Sequence, residues 1–444
     1  MDINADPTGE LPQDTSPKWK KVVTYSALFL LVTTYVLQTL TPLRLTTDAI
    51  SYLSMASSAS DGFGFNHALL PVGYPSIIVI LEWLSIATSF WLVFFNLISL
   101  SLGLFCFHYL LVRSVRLSNI ESTVICTITL LSWVIIKYIT LPVSDIAYLG
   151  VSAFALMLMV TVTRVRNRKY IAWSLILGLL FCAVAISIRT IGIALLPAFA
   201  WAVFRMPATQ ISINRLLERF PRLPLWVASG TLVPILAGCY LLQQTGYFHL
   251  LQSDIYKEGI LAMIGTSLGF RLMELGQITL NLPFSKLAIF KEIFWIIGAV
   301  TLFFFAMGFW RQIRISSPLE IYMGFYLIIL FAWPYYSPRY WLPVIPLLFG
   351  YMWKGIKNTK RFLYIPTLYS FLAAFFLTGI IALGYSTRIT FAGDHFPERY
   401  GDGTFTNIYK LAFNQKFNDG QNHYSIEQPE EILNLLRRYG HNYP

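Results

Sequence analysis

The chain has 444 residues, of which 56% are hydrophobic and only 12% charged, and its mean hydropathy is +0.60. A soluble domain carries about 25% charged residues, so a soluble fold is excluded. The net charge of +11 does not mark a nucleic-acid binder, because Lys and Arg fall in short loops between apolar runs rather than on one face of a polar module.

From the N-terminus, residues 1–21 are polar and rich in Pro and Asp, unlike a signal peptide. They read as a disordered cytoplasmic tail before an uncleaved first anchor. A spanning helix needs roughly 20 apolar residues. Candidates follow at 22–41, 89–112, 120–138, 146–163, 170–188, 190–204, 224–243, 291–310, 318–334, 341–353 and 362–384, so the predicted fold is an all-α multi-pass bundle of eleven spans. Basic residues accumulate in alternate loops, among them Lys18, Lys20 and Lys21, Arg113 and Arg116, Arg164 to Lys169, Arg311 and Arg314, and Lys354 to Arg361. The positive-inside rule then puts the N-terminus in the cytoplasm and, with an odd count, the C-terminus on the outer face.

Two predicted outer segments, 42–88 and 244–290, are too long for turns and have apolar stretches too short to span. They read as interfacial helices in the first and fourth outer loops. The four cysteines (Cys106, Cys126, Cys182, Cys239) lie in apolar segments without CxxC or Cys/His spacing, which reads as packing. Residues 385–444 lose the apolar character and form a small outer-face segment, in which PEEILNLLRRYG has Pro at a helix start, acids in the first turn and Gly just after the end.

The most informative position is Asp48 in LTTDAISYL, just beyond the first span. An ionisable residue near the hydrocarbon boundary is costly and marks a functional site, although Asp is also a favoured helix N-cap. Glu82 in IIVILEWLSIA calls for a cation or a cavity, and His108 reads as structural. The run Phe331 to Tyr336 reads either as an interfacial belt or as a sugar platform.

Asp48, Tyr52, the turn Asp61-Gly62-Phe63-Gly64-Phe65, His67 and the element Pro71-Val72-Gly73-Tyr74-Pro75 together resemble the first outer loop of the GT-C glycosyltransferases. Ser144-Asp145, the Arg189-Thr190-Ile191-Gly192 turn, and Ser337-Pro338-Arg339-Tyr340-Trp341 followed by Pro343 and Pro346 extend the resemblance over most of 20–384. Within that superfamily the chain is similar to protein O-mannosyltransferase-like and lipid A aminoarabinose-transferase-like enzymes of the family 39 type.

The resemblance implies an integral cell-membrane enzyme of glycan or envelope biosynthesis. It would transfer a sugar, with inversion, from a polyprenyl-phosphate donor to a lipid, glycan or protein acceptor at the outer face. It implies Asp48 as general base, Arg189, Arg339 and Lys257 (with Arg271 as a further candidate) on the donor phosphate, and Asp145, Tyr52, His67 and Tyr74 near substrate. Asp145 reads equally as the ion-pair partner of one of these arginines. Asp48 lacks an acidic neighbour, so the paired-acid motif of some GT-C enzymes is absent and neither a metal nor a cofactor is expected. The competing readings are a lipid-linked oligosaccharide flippase or other transporter, a polysaccharide polymerase or ligase, and a non-catalytic scaffold.

Overall fold

The computed structural model describes residues 18–65, 70–165, 167–206, 259–286, 291–313, 317–357, 359, 361–400, 405–415 and 429–440. Among them there are helices and turns but no strand. The helices are α1 (Lys18–Leu37), α2 (Thr47–Ser60), α3 (Gly73–Trp83), α4 (Ser89–Leu110), α5 (Asn119–Leu130), α6 (Trp133–Ile139), α7 (Ser144–Val162), α8 (Arg168–Ile188) and α9 (Leu195–Arg205). After them come α10 (Ile260–Leu280), α11 (Lys291–Ile313), α12 (Pro318–Ala332), α13 (Ile345–Lys357), α14 (Arg361–Thr390), α15 (Phe396–Tyr400), α16 (Thr406–Ala412) and α17 (Pro429–Tyr439). Short connections make the long helices alternate between two ends of one bundle. One end carries Asp48 and the C-terminal helices, and the other carries Arg113, Arg164, Arg205, Arg311 and Lys357.

Among the described residues, five helices are long and apolar enough to cross a membrane, at Ser89–Val115, Ser144–Val162, Lys169–Ile188, Lys291–Ile313 and Leu368–Thr390. The chain is a multi-pass membrane protein, and among the described residues several of the eleven predicted spans are short or broken. The expected span 120–138 is two helices, α5 and α6, bent by 58°, and raises the total to six if taken as one. The expected span 318–334 is the 15-residue α12. Span 190–204 becomes a 3-10 turn, Thr190–Ala194, leading into α9, and span 341–353 becomes a 3-10 turn, Pro338–Val344, leading into α13. Pro338 and Pro343 within the second turn account for its departure from α-helix. Span 224–243 lies outside the described residues. The last span, expected to end at 384, continues as helix to Thr390.

Small residues let long helices that run in the same direction touch backbone to backbone, as is common in bilayers, where apolar burial gives no preference for protein over lipid. A Cβ on Gly150 of α7 would strike the Ser99 carbonyl of α4, and one on Gly355 of α13 would strike the Phe304 carbonyl of α11. At the basic end two capping boxes start helices, Ser118 with Glu121 for α5 and Ser317 with Glu320 for α12. Both carboxylates also reach α13: Glu121 accepts from Trp353 Nε1 at 3.1 Å and Lys357 Nζ at 2.8 Å, and Glu320 accepts from the Tyr351 hydroxyl at 3.0 Å.

The helix expected to lie flat in the fourth outer loop behaves differently. α10 packs lengthwise along α11, with Gly276 against Phe294, Gly298 against Leu272, and the Thr279 and Thr301 hydroxyls 2.8 Å apart. Along α10 the chain passes from Glu274, which meets the Ser337–Trp341 turn, to Asn281, which meets the α5–α6 break at Leu131 and the middle of α14 at Phe375, so α10 points from the Asp48 end into the bundle. Its C-cap, Asn281, takes the left-handed conformation with φ 56°, which Asn tolerates better than most residues. The Asn281 side chain accepts from the Trp133 amide at 2.7 Å and donates to the Leu131 carbonyl at 2.8 Å and the Phe375 carbonyl at 3.2 Å. The backbone groups freed by the α5–α6 break are thereby paired, as a nonaqueous interior requires.

Candidate active site

Asp48 is not the N-cap of its helix. That position belongs to Thr46, whose side chain accepts from the Ala49 amide, and Asp48 sits in the first turn of α2. A carboxylate there is favoured by the helix dipole while its side chain stays available for another partner. The partner is Arg339 of the 3-10 turn between α12 and α13, which forms an ion pair with it. The Asp48 and Arg339 side chains are 31% and 21% exposed, so this pair is open to ligands. Burial alone would lower the pKa of Arg339, but the Asp48 carboxylate and neighbouring tyrosines raise it above the ordinary value, so the guanidinium stays charged.

A second pair lies next to it. Asp145 in the first turn of α7 meets Arg189 at the end of α8, and its side chain is only 2% exposed. Tyr52, one turn beyond Asp48, shares a 2.9 Å hydrogen bond with the adjacent Ser144, and its ring meets Tyr74 edge-on at 5.2 Å. Among the described residues the buried Tyr74 hydroxyl has no hydrogen-bond partner. Between the pairs stands Tyr138 of α6, hydrogen-bonded to Ser337 and within the fields of Arg339, Asp48 and Arg189.

The turn that carries Arg339 is anchored from α10. Glu274 accepts from the Ser337 amide at 2.6 Å and from Trp341 Nε1 at 2.9 Å, and it pairs with Arg271 at 3.1 Å; both side chains are fully buried. Arg271 donates to the Tyr335 carbonyl at 2.5 Å, while its Nε and Nη1 have no partner among the described residues. The Tyr340 ring lies 5.7 Å from the Arg271 guanidinium and 5.5 Å from that of Arg339. Two cations therefore flank one aromatic ring, a few residues from the carboxylates.

Asp48, Tyr52, Tyr74, Asp145, Arg189 and Arg339 thus gather at one end of the bundle. His67 and Lys257 lie outside the described residues. Glu82 meets the cation its apolar context called for: Arg438 of α17 donates to it at 2.7 Å and to Asp61 at 3.0 Å. The hydrogen bond from Arg438 is the foremost influence holding the Asp61 carboxyl below the usual carboxylate range. His108 lies at the opposite end, 3.4 Å from the Thr123 hydroxyl. Phe331 and Trp333 offer their carbonyls to Ser267 of α10, which ties the aromatic run to the protein as well as to lipid. Tyr138 and Glu274 did not stand out in the sequence, because neither belongs to a recognisable local pattern.

No protein-family model and no curated protein sequence matches the chain. Solved structures similar to it include two of ArnT from Cupriavidus metallidurans. The one bound to undecaprenyl phosphate shares 13% identity with a TM-score of 0.47, and the apo state shares 12% identity with a TM-score of 0.48. Each alignment covers 95% of this chain and 85% of the other.

Proposed function

We propose that the chain is an inverting glycosyltransferase that moves a sugar from a polyprenyl-phosphate donor to an acceptor hydroxyl at the outer face of the cell membrane. The observation that carries this reading is the meeting of a half-open carboxylate, Asp48, with a guanidinium, Arg339, beside a second acid–arginine pair. The outer-loop motifs resembling GT-C enzymes support it from the sequence side, and the basic residues at the opposite end support an outward-facing site.

In this reading Asp48 and Arg339 are paired before substrate arrives. The donor phosphate competes for Arg339, with the buried Arg271 adding positive charge from beside the same Tyr340 ring. Once released from the arginine, Asp48 accepts the proton of the acceptor hydroxyl. The acceptor oxygen bonds to the anomeric carbon as the bond from that carbon to the phosphate oxygen breaks. The electron pair leaves on the polyprenyl phosphate, where Arg339 offsets the new charge. Attack opposite the leaving group inverts the configuration, and no covalent enzyme intermediate forms. Arg189 remains with Asp145, which makes it a support for the site and a weaker candidate for the phosphate than the sequence suggested.

Transporters also use broken helices, and the α5–α6 break invites that comparison. The break is filled by the Asn281 amide rather than by an ion-binding side chain, which favours chemistry at the bundle end. Arg339→Ala is expected to raise the KM for a polyprenyl-phosphate sugar at least about tenfold, the value of one charge-assisted contact, with the acceptor KM changed less than about twofold. Steady-state kinetics in proteoliposomes distinguish the two, and equal effects on both substrates would remove Arg339 from the phosphate.

A further inference from the structure

The C-terminal segment, which the sequence presents as a small outer-face segment, grips the stretch of chain that delivers Asp48. Residues 42–46 have no regular structure, so their backbone polar groups need partners from elsewhere. The Tyr409 hydroxyl of α16 supplies two of them, accepting from the Leu45 amide at 2.8 Å and donating to the Leu43 carbonyl at 2.9 Å. Tyr400 of α15 supplies a third, donating to the Leu45 carbonyl at 2.8 Å.

Tyr409 is wholly buried and fixed in orientation by Phe396 and Tyr400, whose rings meet its own edge-on at 5.2 and 5.7 Å. Between the two gripped residues, the Arg44 side chain lays its guanidinium 5.8 Å from the centre of the Tyr400 ring and donates to Ser386 and Thr390 of α14 and to Thr140 beyond α6. The approach to α2 is therefore held through main chain and side chain at once, three residues before Asp48. Farther along α2, Glu431 accepts from Ser54 at 2.7 Å and Arg438 donates to Ser57 at 2.7 Å.

We propose that Tyr409 is a positioning residue for Asp48: its hydroxyl fixes the backbone at Leu43 and Leu45 and so sets where the first turn of α2 presents the carboxylate. The catalytic part of this inference rests on the transferase reading above; the clamp itself does not. A carboxylate displaced by about 1 Å loses on the order of a hundredfold in rate, so a single distant hydroxyl can matter.

The test is Tyr409→Phe in the full chain, which keeps the ring and removes the bonds to Leu43 and Leu45. Hydrogen exchange of the amides over 43–49 should quicken about tenfold or more, with exchange in α7 and α14 unchanged. Turnover should fall about tenfold or more, while the donor KM stays within about twofold. Tyr400→Phe, which removes one bond, should do the same to a smaller degree, and serves if Tyr409→Phe yields too little folded protein. Unchanged exchange over 43–49, or quickened exchange with full turnover, would overturn the proposal. Exchange needs no substrate, so an unaltered protein that transferred no sugar would remove the transferase reading and leave the clamp to be judged separately.

Discussion

Asp48→Asn should lower sugar transfer by about a hundred- to ten-thousand-fold, the usual range for a lost general base, with the yield of folded protein unchanged. The two effects separate because the Asp48 side chain is 31% exposed and its partner 21%. An ion pair that open contributes little to stability, about 0–1 kcal/mol. The amide can still accept a hydrogen bond from Arg339 but has no useful basicity. Rates measured in membranes with a labelled polyprenyl-phosphate sugar, alongside size-exclusion profiles of both proteins, check this. A variant that retains more than about a tenth of the activity would show that the proton leaves by another route.

The largest effect on stability is expected at Glu274, which has no exposure at all. Glu274→Leu would strand the Arg271 charge in the interior and deprive the Ser337 amide and the Trp341 indole of their acceptor. Removing one member of a buried pair costs about 3–5 kcal/mol. Replacing both members with apolar groups of similar size removes the stranded charge, so the double variant Arg271→Met, Glu274→Leu should recover the charge-related part of the loss while the Ser337 amide and Trp341 indole still lack their acceptor. The double variant should nonetheless be less active, because Glu274 anchors the turn bearing Arg339. Thermal unfolding in detergent gives the comparison, and a single variant as stable as the double would show that the pair carries no structural weight.

The membrane character and the identity of the paired residues were legible in the sequence for different reasons. Apolar length reports helices directly, and it located the cores of α4, α7, α8, α11 and α14 within a few residues. It could not report interruptions, because an apolar run reads the same whether the helix is straight or broken. The α5–α6 bend depends on Asn281, about 150 residues away in sequence, and nothing near Leu131 announces it. Pro338 and Pro343 were visible, but only the contact between Trp341 and Glu274 shows why the turn they form is retained.

Asp48 stood out as a charge near the hydrocarbon boundary, and Asp145, Arg189 and Arg339 through the motifs that resemble GT-C enzymes. Which acid would meet which arginine was not legible, since pairing is set by helix ends brought together from four parts of the chain. Tyr138 and Tyr409 were hidden more thoroughly: tyrosine is common at membrane interfaces, and only the partners of a particular hydroxyl separate a positioning role from an anchor. The capping signatures Ser118-x-x-Glu121 and Ser317-x-x-Glu320 are local and readable in the sequence. What they do not disclose is that both acids also hold α13.

The purified, unaltered protein in proteoliposomes, given a polyprenyl-phosphate sugar and a membrane extract as acceptor source, tests the central claim most directly through release of the free polyprenyl phosphate. The account predicts extract-dependent release, with the sugar appearing on an acceptor in the inverted anomeric configuration. A protein that binds the donor and moves it intact across the bilayer, with no release from any such donor, would contradict it.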